Sequence, residues 1–199
     1  MTISDSVTNI GVEAFYACAG LTGVTMGNNV ARIGEWAFWS CSSLTSITIP
    51  KSVGWVGGVA FPFCTSLTDV YFKGDAPVDT GAVFDYDNNA TVYYLPGTKS
   101  WASTFSGRPT ALWLPQVSTT DPSFGVRTNQ FGFNIAWASG MRVVVEAATN
   151  LTTPNWLPLQ TNLLSGDSQY FSNPGWTNYP TRFYRIRSPW ATAKTAAAT

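Results

Sequence analysis

In the first half of the chain, the residues whose types could do chemistry are three cysteines, Cys18, Cys41 and Cys64, two glutamates, Glu13 and Glu35, and the run Asp85-x-Asp87-Asn88-Asn89. Thiols can ligate a metal, and two carboxylates about 5–9 Å apart can hydrolyse a glycosidic bond. Carboxylate and amide oxygens at alternating positions suit calcium. The spacing argues against each of these. The cysteines recur every 23 residues, wider than a metal-ligand set, and a shared column makes them a ladder of small buried thiols. A disulfide between neighbours would leave one of the odd number unpaired. Glu13 and Glu35 fall in adjacent columns rather than in one pocket. The Asp85 run lacks the glycine and distal glutamate of a calcium loop, and Asp and Asn are favoured in solvated turns. Histidine is absent, which removes Ser-His-Asp and Cys-His nucleophiles and the commonest zinc ligand. We therefore expect no catalytic residue, metal or cofactor, and no enzyme. A fragment of a carboxylate-based carbohydrate-active enzyme is the remaining enzymatic alternative.

The elements that position these residues are copies of one another. A shift of 23 superimposes Val7, Val30 and Val53; Ile10, Ile33 and Val56; Gly11, Gly34 and Gly57; Ala14, Ala37 and Ala60; and Phe15, Phe38 and Phe61. The cysteines follow in register, then Leu21, Leu44 and Leu67, and Val24, Ile47 and Val70. A constant period of this length signals a solenoid. Leu44-Thr45-Ser46-Ile47-Thr48-Ile49 ends in strict alternation, as a short strand with one buried face does. Ile33-Gly34-Glu35-Trp36-Ala37-Phe38 is too short for a regular helix and reads as one helical turn or an irregular return arm.

The pattern Ser-Val-Thr-x-Ile-Gly-x-x-Ala-Phe-x-x-Cys-x-x-Leu-Thr-x-Val/Ile-Thr-Ile resembles the BspA-type leucine-rich repeats of bacterial and some protist surface proteins. It covers residues 1 to about 73. The resemblance implies a right-handed curved solenoid with a parallel sheet on one face, and a role in adhesion or in contact with host or matrix. It brings no catalytic residues. The third copy departs from the pattern at Gly57-Gly58-Val59-Ala60-Phe61-Pro62-Phe63-Cys64, where two glycines and a proline weaken any helical turn.

The expected fold is mainly β: three copies of a 23-residue leucine-rich repeat over 1–73, a capping coil over 74–114, a small β-sandwich over 115–188 and a flexible tail over 189–199. In the cap, Val83-Phe84 imitates the repeat's Ala-Phe, and Ala90 to Leu95 reads as one more strand between Asn88-Asn89 and Pro96-Gly97. Trp101, Phe105 and Trp113 are expected to cover the last coil. Similar Asn-Asn-Ala-Thr-Val-Tyr-Tyr-Leu-Pro-Gly-Thr segments close BspA-like arrays in secreted bacterial proteins. Beyond Pro115 strand candidates run Phe131–Trp137, Arg142–Ala147, Trp156–Thr161, Gln169–Phe171 and Arg182–Arg187, separated by turn clusters. The run from Val143 to Leu151, with Trp156-Leu157-Pro158-Leu159 and Arg182 to Ile186, resembles a C-terminal module of many secreted bacterial proteins. That likeness implies a fibronectin-like accessory domain. Glu146 with Arg185 or Arg187 is expected to form a cross-strand pair.

Charged residues are 11% of the chain, aromatics 15%, and the formal net charge is zero. With no long basic run, nucleic acid is not an expected partner, and no apolar run is long enough to insert into a membrane. No signal peptide is visible, and the expected localisation remains extracellular or cell-surface, with the chain read as the end of a longer array. The expected function is a non-enzymatic binding or adhesion scaffold that recognises a protein or a glycan through the repeat surface. Candidate ligand-binding residues are Tyr16, Trp36, Trp39 and Trp55 on the return arms and Thr25, Thr48 and Tyr71 on the strand face. The alternative is a homo-oligomer built by end-to-end stacking through the open first coil.

Overall fold

The 23-residue register becomes a ladder of identical contacts in the computed structural model, which describes residues 1–86 and 89–189. The chain divides into two units, Met1–Trp113 and Leu114–Thr199. Strands of the first are β1 (Asn9–Ile10), β2 (Arg32–Ile33), β3 (Ser46–Ile49), β4 (Trp55–Val56), β5 (Asp69–Phe72), β6 (Thr91–Tyr94), β7 (Thr104–Phe105) and β8 (Arg108–Leu112). Two parallel sheets result, where a single one was expected. One runs β1-β2-β4, with Ile10, Ile33 and Val56 in register. The other runs β3-β5-β6-β8-β7, with Ile47 beside Val70 and Val70 beside Val92. Isoleucine in place of its valine equivalent, at the same depth in each turn, lets every coil bury its apolar side on the next.

Between the sheets lies the return arm, a series of turns with no helix. Its backbone is left-handed at two fixed columns: Glu13, Trp36 and Val59, and Ala17, Ser40, Phe63 and Tyr86. Each such residue costs about 1–2 kcal/mol. The return is a set of inter-coil hydrogen bonds, in which the amides of Trp36, Phe38 and Ser40 donate to the carbonyls of Val59, Ala60 and Pro62. Close approach of the arms requires glycine at positions 34 and 57. A Cβ on Gly34 would stand 2.6 Å from the Gly11 carbonyl carbon, and one on Gly57 2.6 Å from the Glu35 amide nitrogen.

Phenylalanines form the spine of the core. Phe15, Phe38, Phe61 and Phe84 stack at centroid separations of 5.0, 5.0 and 5.7 Å. Phe84 and the buried Val83 continue the columns of Phe61 and Ala60, and the solenoid runs to about four turns. Trp101 and Phe105 then lie against Phe72 at 5.0 and 5.6 Å, and β7 folds antiparallel onto β8. Trp113 packs tilted against Tyr71 at 4.7 Å on the outer sheet face.

The cysteine ladder is buried at Cys41 and Cys64 but not at Cys18. In this column the preceding coil does the burying: the Cys41 thiol donates to the Phe15 carbonyl, and Cys64 to that of Phe38. Cys18 lies on the outer side of the first coil and lacks that cover.

In the second unit the strands are β9 (Gln116–Ser118), β10 (Gly125–Arg127), β11 (Gln130–Ala136), β12 (Arg142–Ala148), β13 (Leu157–Leu163), β14 (Ser168–Asn173) and β15 (Phe183–Arg187). They make two antiparallel sheets, β10-β11-β14 with β9 also on β11, and β13-β12-β15. Phe131 and Phe133 of β11 and Phe171 of β14 meet Tyr184 of β15 at 4.7, 6.2 and 6.3 Å. Of the expected tail, residues from Trp190 onward lie outside the described ones.

Candidate functional site

Successive coils place Thr2, Thr25, Thr48 and Tyr71 in one row on the outer face of the larger sheet, with Tyr93 next. The ladder along this row is broken at one junction. Thr25 is bonded back toward the chain start, its amide donating to the Met1 carbonyl at 2.9 Å and its carbonyl accepting from Ile3 at 2.8 Å. Alternation then directs the backbone groups of Val24 and Met26 toward β3. On the facing strand the Ile49 carbonyl accepts from Lys73, so the groups of Ser46 and Thr48 point back toward the first coil. No ladder bond crosses this junction among the described residues.

The gap is a cavity of about 390 Å³ lined by Met1, Thr2, Thr22, Gly23, Val24, Thr25, Ser46, Ile47 and Thr48. It is a wedge, because the return arms of the same two coils remain in contact through Phe15 and Phe38 at 5.0 Å. Gly23 is the sequence reason. It stands where the next coils carry Ser46 and Asp69, and glycine weakens a strand and marks close approach of another group. A Cβ there would meet nothing within 4 Å.

Beyond Thr48 the row becomes aromatic. Tyr71 stacks on Tyr93 at 5.1 Å and meets Trp113 tilted at 4.7 Å. Burial, then the Asp69 carboxylate and Tyr93, raises the Tyr71 phenol above its usual pKa, which keeps it a neutral hydrogen-bond donor. Of the expected strand-face residues, Thr25 and Thr48 share the cavity, and Tyr71 anchors the aromatic cluster next in the row.

The return-arm candidates are arranged differently. Tyr16, Trp39, Phe63 and Tyr86 form a second column, with centroids 5.8, 5.1 and 4.5 Å apart. Tyr16 stacks on Trp39 and Phe63 on Tyr86, while Trp39 and Phe63 meet tilted at 56°. Trp39 is half-buried in this column, stacked on Tyr16 through one face. Trp36 is exposed outside this column, and Trp55 lies under the Arg32 guanidinium at 4.4 Å. The structure does not bring these four side chains into one site with the strand-face residues.

Residues 1–98 match the family model of the BspA type leucine rich repeat region, in six copies. Proteins with BspA-type repeats are often surface or adhesion proteins, usually extracellular, and the repeats are typically non-enzymatic binding scaffolds. No curated protein and no solved structure matches the chain significantly. The match lies wholly within the first unit, which holds the open junction between the first and second coils.

The remaining chemistry-bearing residues stay apart. Glu13 and Glu35 adjoin on neighbouring arms, the Glu13 amide donating to the Glu35 carbonyl at 3.1 Å, and neither lines the cavity. Among the described residues no group of three or more Cys, Asp or Glu could hold a metal; Asp87 of the weighed calcium run lies outside them. Among these residues, too, no helix is long and apolar enough to cross a membrane. Tyr93, Trp113 and Gly23 were not singled out from the sequence as binding residues. The departure of Gly23 from its column was the available signal.

Proposed function

We propose that the chain is an extracellular or surface-associated, non-enzymatic adhesion scaffold whose strand face binds a neutral glycan. Hydroxyls of Thr2, Thr22, Thr25, Ser46 and Thr48 line the wedge together with backbone donors and acceptors left by the missing ladder. One observation carries the reading: the cavity sits where the ladder is interrupted and adjoins the Tyr71-Tyr93-Trp113 cluster. Sugars are recognised by such a combination, hydroxyls and amides on the rim and an aromatic surface beside them. In this reading residues 74–114 cap the array and 115–188 form a small fibronectin-like sandwich.

The test is a glycan and matrix-protein binding array with the full chain. Gly23→Tyr fills the wedge without meeting another atom at its Cβ, and Thr48→Val removes a hydroxyl at constant volume. Each should abolish or weaken binding by at least about tenfold, while Trp36→Ala and Trp39→Ala bind as the parent does. Loss confined to the two tryptophan variants, or binding to matrix proteins alone, overturns the proposal.

Self-association through the first coil is the less favoured reading, for a directional reason. Arm amides point toward the following coil and arm carbonyls toward the preceding one, as in the Phe15 to Ala37 and Phe38 to Ala60 bonds. Two first coils face to face would oppose carbonyl to carbonyl at Val12, Ala14 and Tyr16. Head-to-tail stacking would meet the β7-β8 hairpin. A first-coil-dependent dimer in light scattering, lost on Tyr16→Ser, would restore that reading.

A further inference from the structure

The formal neutrality of the chain conceals a division. Of its eleven acidic residues eight lie in 1–113, and of its eleven basic residues six lie in 114–199. The excess positive charge of the second unit has a location. Glu146, in the central strand β12, is 4% exposed and grips two arginines of β15. Arg185 donates from Nε and Nη2 to Oε2, both at 2.7 Å, and Arg187 from Nε to Oε1 at 2.8 Å. The Arg185 guanidinium also lies over the Trp156 ring at 4.4 Å.

Both arginines nevertheless remain 45% and 38% exposed in their side chains. Arg185 turns Nε and Nη2 to the carboxylate and Arg187 turns Nε to it, so both guanidiniums are anchored while their side chains stay partly exposed. Neutralising one buried carboxylate takes one arginine, so the second is surplus. Arg142 adds a third cation: it shares the face of Val144 and Glu146, two residues along β12 from Val144, whose cross-strand partner is Arg187. Glu146 is the sole acid in β12, β13 and β15. The other acids of the unit within the described residues are Asp121, bonded to Asn134 of β11, and Asp167, bonded through its carbonyl to Trp137. Thr161, opposite Val144, places a hydroxyl on the same face.

We infer that the outer face of β12, β13 and β15 binds the oxyanion groups, carboxylate or sulfate, of an acidic polysaccharide. Arg187, Arg185 and Arg142 make the contacts, Trp156 and Thr161 flank them, and Glu146 is a positioning residue. The chemistry favours this ligand over others. A planar guanidinium matches an oxyanion bidentately, and one held in place before binding loses less entropy when it does so. Three arginines make too small a patch for nucleic acid, which needs a basic stripe along its phosphates. An anionic lipid surface attracts mobile lysines as readily, and this face has none.

The experiment is affinity electrophoresis of the full chain in gels containing polygalacturonate, dextran sulfate or neutral dextran. Retardation is expected in one or both acidic gels and not in the neutral one, and the two acidic arms separate carboxylate from sulfate. Arg142→Gln, at an exposed position that leaves the Glu146 pairs intact, should weaken binding several-fold. Arg187→Lys keeps the charge and loses the fork, and should weaken it by about tenfold. Gly23→Tyr and Thr48→Val should change nothing here, so this site and the solenoid wedge fail or succeed separately. Equal migration in acidic and neutral gels overturns the inference, as do unchanged retention in Arg142→Gln and equal binding to polyglutamate, duplex DNA or anionic vesicles.

Discussion

The two units satisfy buried polar groups in opposite ways. In the solenoid each coil borrows from an identical neighbour: Trp36, Phe38 and Ser40 donate to the next arm, and the thiols of Cys41 and Cys64 donate to the arm before. No charged side chain is buried there among the described residues. The C-terminal unit instead sets a carboxylate into its middle strand and surrounds it with two guanidiniums. Repetition spreads each demand along the array, whereas a charge cluster concentrates it at one point. Damage to the first should therefore travel between coils, and damage to the second should depend on pH.

The largest expected effect tests the travelling. Phe38→Ala removes the middle ring of the Phe15, Phe38, Phe61, Phe84 stack and should cost about 3–5 kcal/mol. In a quasi-one-dimensional array that loss passes to both neighbours, so amide exchange should quicken at β2, β3 and β5 together. Protection of Val143 and Val145 in β12 should be unchanged. Phe133→Ala, an equally buried ring in the other unit, should do the reverse. Loss of protection in both units from either substitution would break the distinction.

Next in size is the charge cluster. Burial pushes the Glu146 carboxyl up, but hydrogen bonds from Arg187 and Arg185 and their charges outweigh it, leaving the pKa below the ordinary glutamate value. A carboxyl whose folded pKa lies below its unfolded one adds stability that is complete above the unfolded value, about 4.3, and is lost as the pH falls through the folded value. The second unit should therefore lose stability on acidification below about pH 4.3. Glu146→Gln should cost about 2 kcal/mol at neutral pH and flatten that acid limb. The solenoid has a weaker counterpart in Asp79. Burial raises its pKa, and bonds from the Ser106 hydroxyl and amide and the Gly81 amide more than reverse this. Its carboxylate is exposed, so Asp79→Asn should flatten the acid limb of the first unit by less. Acid melts of the two variants, each followed in its own unit, check the order.

The sequence disclosed what repetition writes into it. Ile33, Phe38, Cys41 and Leu44 were legible as core because the same types recur 23 residues on, and their burial follows. Strands of the second unit from Phe131 onward were legible through alternation, and Glu146 as the lone acid of a valine-rich strand with arginines in a later one; the register pairs it with Arg185. The second solenoid sheet was not legible, since two-residue strands such as Arg32–Ile33 carry no alternation. Nor was the ring column of Tyr16, Trp39, Phe63 and Tyr86. Whether a ring stacks on its neighbour or tilts against it is decided by the ring in the next coil, and no single repeat records that. The wedge escaped for a related reason: a missing ladder is a relation between Gly23 and Thr48, which lie in different copies.

The smallest expected effect asks whether backbone strain is handled alike in the two units. Val59 sits at φ 49° in the return arm, and Thr128 at φ 46° in the two-residue turn with Asn129 between β10 and β11. Both are β-branched in a region that asparagine tolerates and valine and threonine resist. Val59→Asn and Thr128→Asn should each stabilise by about 0.5–1 kcal/mol, read as a rise in the melting temperature of the unit concerned. The turn is local, so Thr128→Asn should return its gain in full. Val59 is held by bonds on both sides, its amide donating to Ala82 and its carbonyl accepting from Trp36, and stands half-buried, so lost apolar cover offsets part of its relief. An equal gain at both positions would mean that the arm stores strain no differently from an ordinary hairpin. A smaller gain at Val59 would mean that the stacked coils already hold the left-handed backbone in place, and that valine there contributes to the packing that does so.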